Sequence, residues 1–429
     1  MATPKPPQHG GPMTDADDAG AEPAGRTRHG ATAPYVPVTL LLPSLGAALG
    51  IDGGPIFQIV AVEDLGLSPA AIGFAFGCGV ASLPLQIYAA RIPVQRARVN
   101  VQLFLALAAV QAWILAALVG TGASGGVTAT ALAITVAAEI SLSVLFATAW
   151  QPLLYHGVGT RDRQRLNTRW AGGGRAVLAG TVVLFASVDA EWRSALLIVI
   201  GIAALLAAVT LARVDSPAAP PPANENGRAA TTLTGPTRVL LLVFAVANLG
   251  ALPLWLVYLN RVLWPDANLG VVTAVQTVAA MLALLAWRPT SGTVIHRALV
   301  AAMIGLLATA GLVTIDAPVD HDAQRGLVLV ATALLAATTT TSRLAMLESA
   351  HRVIPRHNTV KAFTWLDVVA STSLQAGLLL SGFLVTASVD VAGPIDPYRA
   401  FVLACALLTI PAIAWFRAIT SSDDPQHSG

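Results

Sequence analysis

The sequence predicts an all-α membrane protein with twelve transmembrane helices in two pseudo-symmetric six-helix bundles. Of its 429 residues, 55% are hydrophobic and only 11% are charged, whereas about a quarter of a soluble domain is charged. The mean hydropathy is +0.68. Because a backbone surrounded by lipid must satisfy its own hydrogen bonds, long apolar segments of this kind are expected to be helices.

Twelve apolar runs have the length that crosses a bilayer, about 17 to 25 residues. They cover residues 38–62, 70–90, 99–120, 127–150, 170–188, 194–212, 239–260, 269–287, 298–315, 326–347, 363–386 and 400–416.

The positively charged residues support this number of spans and predict the orientation. With a cytoplasmic N-terminus, 19 Lys and Arg residues fall in cytoplasmic segments and 2 inside helices. Only 4 fall in external loops, namely Arg193, Arg261, Arg325 and Arg399. Because cytoplasmic loops carry an excess of Lys and Arg, both termini are predicted to lie in the cytoplasm of a cell-membrane protein.

The longest internal connection, residues 214–237, is rich in proline and is predicted to be a cytoplasmic linker. It divides an N-terminal bundle, 38–213, from a C-terminal bundle, 238–418. A disordered cytoplasmic tail is predicted at 1–37 and a short one at 419–429. A weak internal repeat supports the division. At an offset of 195 residues it pairs His156 with His351, Val158 with Val353, Arg161 with Arg356 and Trp170 with Trp365.

These features together resemble the major facilitator superfamily. The stretch Leu65–Gly73 is similar to the family's usual start of the second helix. The next loop, Ala89–Arg98, is basic as in the family, but Ala89 and Pro93 stand where the family motif has glycine and aspartate. The fifth helix lacks the proline of the family's antiporter motif. The resemblance implies two bundles around a central cavity and transport by alternating access.

Asp52 is the first candidate for a proton-coupling residue. A helical rise of 1.5 Å per residue places it about 3 Å from the middle of its span. The glycines and the proline of Gly53-Gly54-Pro55 directly after it are expected to loosen the helix. An acid at this depth is costly and typically marks a proton or ion pathway. The alternative is a structural acid bonded to a neighbouring helix.

Glu139 is the second candidate. It lies halfway along its span and shares a helical face with Thr128, Thr135 and Ser143. In the resembled family the first and fourth helices both face the cavity, which predicts that Asp52 and Glu139 approach each other. The alternative is a buried, protonated acid bonded to a backbone carbonyl.

Other polar residues inside spans are predicted to contact substrate or to form a gate. The predicted substrate contacts are Thr135, Ser143, Arg175, Asn248, Tyr258, Gln276 and Thr338. Arg175 could equally extend toward the headgroups. Arg343 and Asp367 lie at one level near the cytoplasmic ends of their helices, which predicts a gate or a structural ion pair.

The leading functional prediction is a proton-coupled secondary transporter that exports a lipophilic or weakly polar compound. Import of an organic anion with protons, anchored by Arg175, is an alternative, and a non-transporting receptor is an alternative of another class. The sequence has no Walker loop, no His/Cys ligand set and no nucleophile elbow. We therefore expect no enzyme activity, no cofactor and no metal site. The predicted partners are a small molecule, protons and the lipid bilayer, with no nucleic acid and a monomeric chain.

Overall fold

The computed structural model describes residues 32–49, 54–78, 94–122, 165–214, 235–249, 254–287, 322–353, 359–389 and 396–422, with isolated positions and short pieces elsewhere. Every secondary-structure element in these residues is a helix. We number the helices in chain order, without implying that each is a membrane span. They are α1 Val36–Leu49, α2 Pro55–Ile59, α3 Pro69–Gly77, α4 Ala97–Gly120, α5 Ala171–Ser187, α6 Ala190–Leu211, α7 Gly235–Leu249, α8 Trp255–Tyr258, α9 Leu269–Ala286, α10 Asp322–Val353, α11 Thr359–Val389 and α12 Pro397–Ser422.

Six of the described helices are long and apolar enough to cross a membrane: α4, α6, α9 and most of α10, α11 and α12. Helices α1, α5 and α7 are apolar but shorter. This composition fits a multi-pass membrane protein. The number of twelve spans, the two bundles and the domain bounds stay predictions. The predicted spans at 127–150 and 298–315 lie mostly or wholly outside the described residues.

The predicted span bounds hold best in the middle of the chain, where α4, α5, α6 and α9 each begin and end within four residues of prediction. The last three helices extend further than predicted, by three to six residues at each end. The apolar run ends at the first charged residues, such as Asp322 in α10, whereas helical hydrogen bonding continues beyond them.

Two predicted spans, 38–62 and 239–260, each divide into two helices. The first contains α1 and α2, and Gly54 before α2 is not helical (φ −40°, ψ 132°). The second contains α7 and α8, and Leu254 before α8 has left-handed backbone angles (φ 60°, ψ 23°). A π turn follows each short helix, at Val60–Asp64 and at Leu259–Leu263. The first interruption agrees with the predicted loosening after Asp52. The second follows Pro253, one of the prolines inside apolar runs that predict a kink.

The interruptions extend the internal repeat. At an offset of 200 residues, Leu49-Gly50 corresponds to Leu249-Gly250 in the sequence. At the same offset, the Ser68 side chain accepts a hydrogen bond from the Ala71 amide and the Asn268 side chain accepts one from the Val271 amide. Each bond caps the start of a helix, α3 or α9. Corresponding elements therefore begin and end at corresponding places.

Helices from the two predicted halves pack against each other along two seams. Helix α5 packs on α9, and α3 packs on α11. The second seam contains a glycine crossing, formed by Gly73 and Gly382. A Cβ added at Gly73 would lie 2.7 Å from the Gly382 Cα, and one added at Gly382 would lie 2.8 Å from the Gly73 Cα. Two backbones approach this closely only where neither residue has a side chain.

Candidate functional site at the interrupted helices

Three of the predicted site residues, Asp52, Glu139 and Ser143, lie outside the described residues. The proposed approach of the two acids therefore stays a prediction. Thr135 is described: its hydroxyl donates to the Leu132 carbonyl at 2.9 Å, and its carbonyl accepts from Gln111 Nε2 at 2.8 Å. This second bond ties Thr135 to α4.

The first interruption is tightly packed against its own helix. A Cβ added at Gly54 would lie 2.7 Å from the Ala47 Cα and 2.7 Å from the Gly46 carbonyl oxygen. In a continuous helix, residues seven apart are separated by about 10 Å along the axis. The start of α2 therefore lies beside the last turn of α1 and not above it, so Gly54 has no room for a side chain.

The second interruption is held in a strained conformation. A left-handed leucine costs roughly 1–2 kcal/mol relative to a right-handed one. Leu254 is buried, and the indole Nε1 of Trp255 donates to the Thr332 hydroxyl at 3.2 Å. This bond joins the start of α8 to α10. Such strain persists only where the surrounding structure fixes the backbone.

Asn248, near the end of α7, links this interruption to α10. Its Oδ1 accepts from Arg343 Nη2 at 3.1 Å, and its Nδ2 donates to the Phe244 carbonyl at 2.8 Å. Asn248 is buried, so both halves of its amide are satisfied within the protein. The structure thus gives Arg343 a contact that the sequence did not suggest. The predicted pair of Arg343 with Asp367, which is half-buried on α11, stays a prediction.

The remaining predicted contacts lie on three helices. Arg175 is half-buried on α5, and Gln276 is half-buried on α9. Thr338 is buried on α10, and its hydroxyl donates to the Leu334 carbonyl at 2.7 Å. Thr340, Thr341 and Ser342 likewise donate to the carbonyl four residues earlier. The locally polar run of α10 therefore uses its hydroxyl protons within the helix.

Tyr258 belongs to a buried network at the start of α12. Its hydroxyl donates to Asp396 Oδ2 at 2.8 Å and accepts from Arg399 Nε at 2.9 Å. Arg399 Nε also lies 2.9 Å from Asp396 Oδ2, and both charged side chains are 4% exposed. Ser388 Oγ lies 2.9 Å from Asp396 Oδ1, which also accepts from the Arg399 amide. This arrangement holds the segment after the second interruption against α11 and α12.

A corresponding cluster follows the first interruption. Arg193, near the start of α6, pairs with Glu63 at 2.7 Å and with Asp64 at 2.9 Å, and its Nε donates to the Phe185 carbonyl at 2.8 Å. Burial raises the pKa of Asp64 above its ordinary 3.8, while the charge and hydrogen bond of Arg193 act in the opposite direction. The π turn after α2 is thereby fixed to α6, as α8 is fixed to the start of α12 through Tyr258.

Neither network was predicted from the sequence, because Arg193 and Arg399 fall in predicted external loops. Both arginines are buried. One sequence signal was present for the second network: Arg399 follows Asp396, at the N-terminal boundary of α12, by one turn, and the two form an ion pair. An Asp followed one turn later by Arg is a typical start for a helix with an ion pair.

The described helices, six of them long and apolar enough to cross a membrane, define an all-helical fold of the polytopic membrane class. No protein-family model and no curated protein sequence matches the chain. Solved structures match it over most of its length. Among the described residues, no group of three His, Cys, Asp or Glu side chains is placed to hold a metal ion.

Three of the similar structures are transporters. A mutant of the nucleoside transporter NupG has a TM-score of 0.63 and 10% identity, covering 91% of this chain and 99% of that chain. A bacterial homologue of the human lysosomal transporter Spinster has a TM-score of 0.57 and 11% identity, covering 92% and 98%. A bacterial homologue of the iron transporter ferroportin has a TM-score of 0.55 and 14% identity, covering 90% and 99%.

At these identities the likeness concerns the fold. The shared fold is consistent with the resemblance predicted from the sequence.

Proposed function

We propose that the chain is a secondary active transporter that moves a small molecule across a membrane by alternating access. The observation that carries the proposal is the matched interruption of two spans, before α2 and before α8, at positions 200 residues apart. Interrupted helices at corresponding places in two halves are the usual location of substrate and ion sites in secondary transporters. The fold shared with known transporters supports the same conclusion.

The coupling ion in this proposal is the proton. Asp52 lies in the sequence directly before the first interruption, and Glu139 lies halfway along the fourth predicted span. A carrier driven by a proton gradient needs a group that binds and releases a proton inside the membrane. These two acids have the chemistry and the depth for that role.

Efflux of a lipophilic or weakly polar compound is the leading direction, because the spans contain few charges. Import of an organic anion, with Arg175 as the anchor, is the second candidate. The similar structures are a nucleoside transporter and bacterial homologues of a human lysosomal transporter and of an iron transporter. Since one fold is shared by transporters with such different names, it does not choose the substrate class. The proposed location is the cell membrane, with both termini cytoplasmic, and the proposed active unit is a monomer.

The test is a flux measurement in proteoliposomes with an imposed pH gradient and a panel of compounds. Asp52→Asn and Glu139→Gln keep the size of the side chains but cannot titrate. We expect each change to abolish gradient-driven accumulation while substrate exchange without a gradient continues. Asp266→Asn is the matched control, because Asp266 is an exposed acid between two predicted spans and should leave coupling intact. Full response of both variants to the gradient would remove the proton-carrier assignment.

A further inference from the structure

Along the seam between α3 and α11, close packing at glycines is followed by polar side chains. It begins at the glycine crossing and continues where a Cβ added at Gly77 would lie 2.8 Å from Leu379 Cδ1. Residues seven apart on a helix differ by only about 20° around its axis. Gln375 therefore lies on the same face of α11 as Gly382, about two turns further from the crossing. Thr372 is one turn beyond Gln375 on a neighbouring line of that face.

The polar atoms of these two residues are buried and unsatisfied. Gln375 is 3% exposed, and its Oε1 has no hydrogen-bond partner. The hydroxyl oxygen of Thr372 is also buried without a partner. By contrast, the adjacent Ser373 donates to the Val369 carbonyl at 2.6 Å, as hydroxyls in helices commonly do. An amide oxygen has no such local solution, because the helix amides are already bonded to helix carbonyls.

Gln375 and Thr372 lie deep within a membrane-crossing helix, so the lack of a hydrogen-bond partner there needs an explanation. The membrane-crossing part of α11 is Trp365–Val389, and Gln375 lies about 3 Å from its centre. Buried polar groups nearly always have a partner, and an exception calls for an explanation. Other unpartnered buried hydroxyls, at Ser44, Thr273 and Ser381, lie on other helices or on another face of α11. Of the described residues with such an atom, only Gln375 and Thr372 lie within one turn of each other on the same helix.

We propose that Gln375 and Thr372 form a subsite that binds N–H or O–H donors of the transported molecule. This inference rests on the proposed transport function and adds to it the chemical class of the substrate. A molecule that brings a donor to Gln375 Oε1 supplies the hydrogen-bond partner that this oxygen does not have within the chain. The subsite lies on the helix face that meets the other predicted half, where a substrate would be held between the two halves.

The first experiment needs no substrate. In purified full-length protein, Gln375→Met replaces the amide with an apolar side chain of similar length, so an unsatisfied oxygen is removed and the melting temperature should stay equal or rise. Gln111→Met is the matched control, because the buried Gln111 donates to the Thr135 carbonyl at 2.8 Å. Its loss should lower the melting temperature by a few degrees. A decrease for Gln375→Met as large as that of Gln111→Met would overturn the subsite.

The second experiment uses two lipophilic cations as transport probes. Ethidium carries two aromatic amino groups, and tetraphenylphosphonium carries no N–H or O–H. We expect Gln375→Met to weaken the apparent affinity for ethidium roughly ten- to a hundredfold and to leave tetraphenylphosphonium unchanged. An equal decrease for both probes would overturn the proposal. If the unmodified protein transports neither, the proposed efflux function fails and the melting temperatures alone decide the subsite.

Discussion

Removing the Arg399 side chain tests the buried network at the start of α12. In Arg399→Met, the Asp396 carboxylate, only 4% exposed, loses its charge partner. Breaking a buried ion pair from one side costs roughly 3–5 kcal/mol, because the remaining charge is left unpaired. Asp396 keeps its contacts with Tyr258 and Ser388. We therefore expect a loss near the lower limit, about 3 kcal/mol of unfolding free energy.

Two further variants separate the contribution of the Tyr258 hydroxyl from that of the ion pair. Tyr258→Phe removes one hydroxyl but leaves the ion pair, so it should cost about 1 kcal/mol. The double change Asp396→Asn with Arg399→Met removes both charges. It should therefore be more stable than Arg399→Met alone, although both variants lack the ion pair.

The measurement is the melting temperature of the purified protein in detergent. With about 2 °C per kcal/mol for a large chain, Arg399→Met should melt about 6 °C lower. Arg165→Met is the control, because Arg165 and its partner Asp162 are 53% and 46% exposed. Exposed pairs contribute about 0–1 kcal/mol. An unchanged melting temperature for Arg399→Met, or a double variant that is less stable than the single one, would refute the reasoning.

Three further predictions test other contacts. Gly73→Ala adds a Cβ that would lie 2.7 Å from the facing glycine Cα, so it should lower the melting temperature by separating α3 from α11. Burial raises the pKa of Asp64 above 3.8. Its contribution to stability should therefore be complete below pH 3.8 and be lost as the pH rises through the folded pKa, which a melting series at different pH values measures. Arg343→Ala and Asp367→Ala should each lower stability, and the double variant should recover part of the loss if the two residues pair.

Each of these has its own control. Gly180→Ala places its new Cβ more than 4 Å from any neighbour, so it should not destabilise the protein and gains helix propensity. For Asp64, the comparison is Asp64→Asn, and identical pH profiles of the two proteins would contradict the reasoning. For Arg343 and Asp367, purely additive losses in the double-mutant cycle would remove the pair.

The sequence predicted the helices well because apolar run length and helix length are set by the same bilayer. It also predicted the first interruption, since Gly53-Gly54-Pro55 combines a flexible backbone with a residue that lacks an amide proton. At the second interruption, Pro253 alone predicts a kink. The left-handed backbone of Leu254 was not predicted. The bond between Trp255 and Thr332 joins residues 77 apart in the chain, a contact that the local sequence does not show.

The candidate site was less accessible to sequence reasoning. Hydropathy predicts that an arginine such as Arg399 lies outside the membrane, but it does not show whether the side chain is buried against a partner. The partners Tyr258 and Asp396 are 138 residues apart in the chain. Gln375 gave no signal either, because a lone glutamine in an apolar run has many possible roles. Only its unsatisfied oxygen distinguishes it.

The hydroxyl run of α10 has a consequence for recognition. Thr338, Thr340, Thr341 and Ser342 each give their single proton to the carbonyl four residues earlier. A hydroxyl that has donated its proton retains only lone pairs. A free hydroxyl can both donate and accept, but with its proton used inside the helix each of these oxygens is left to accept. Any group that binds to them from outside the helix must bring the hydrogen itself.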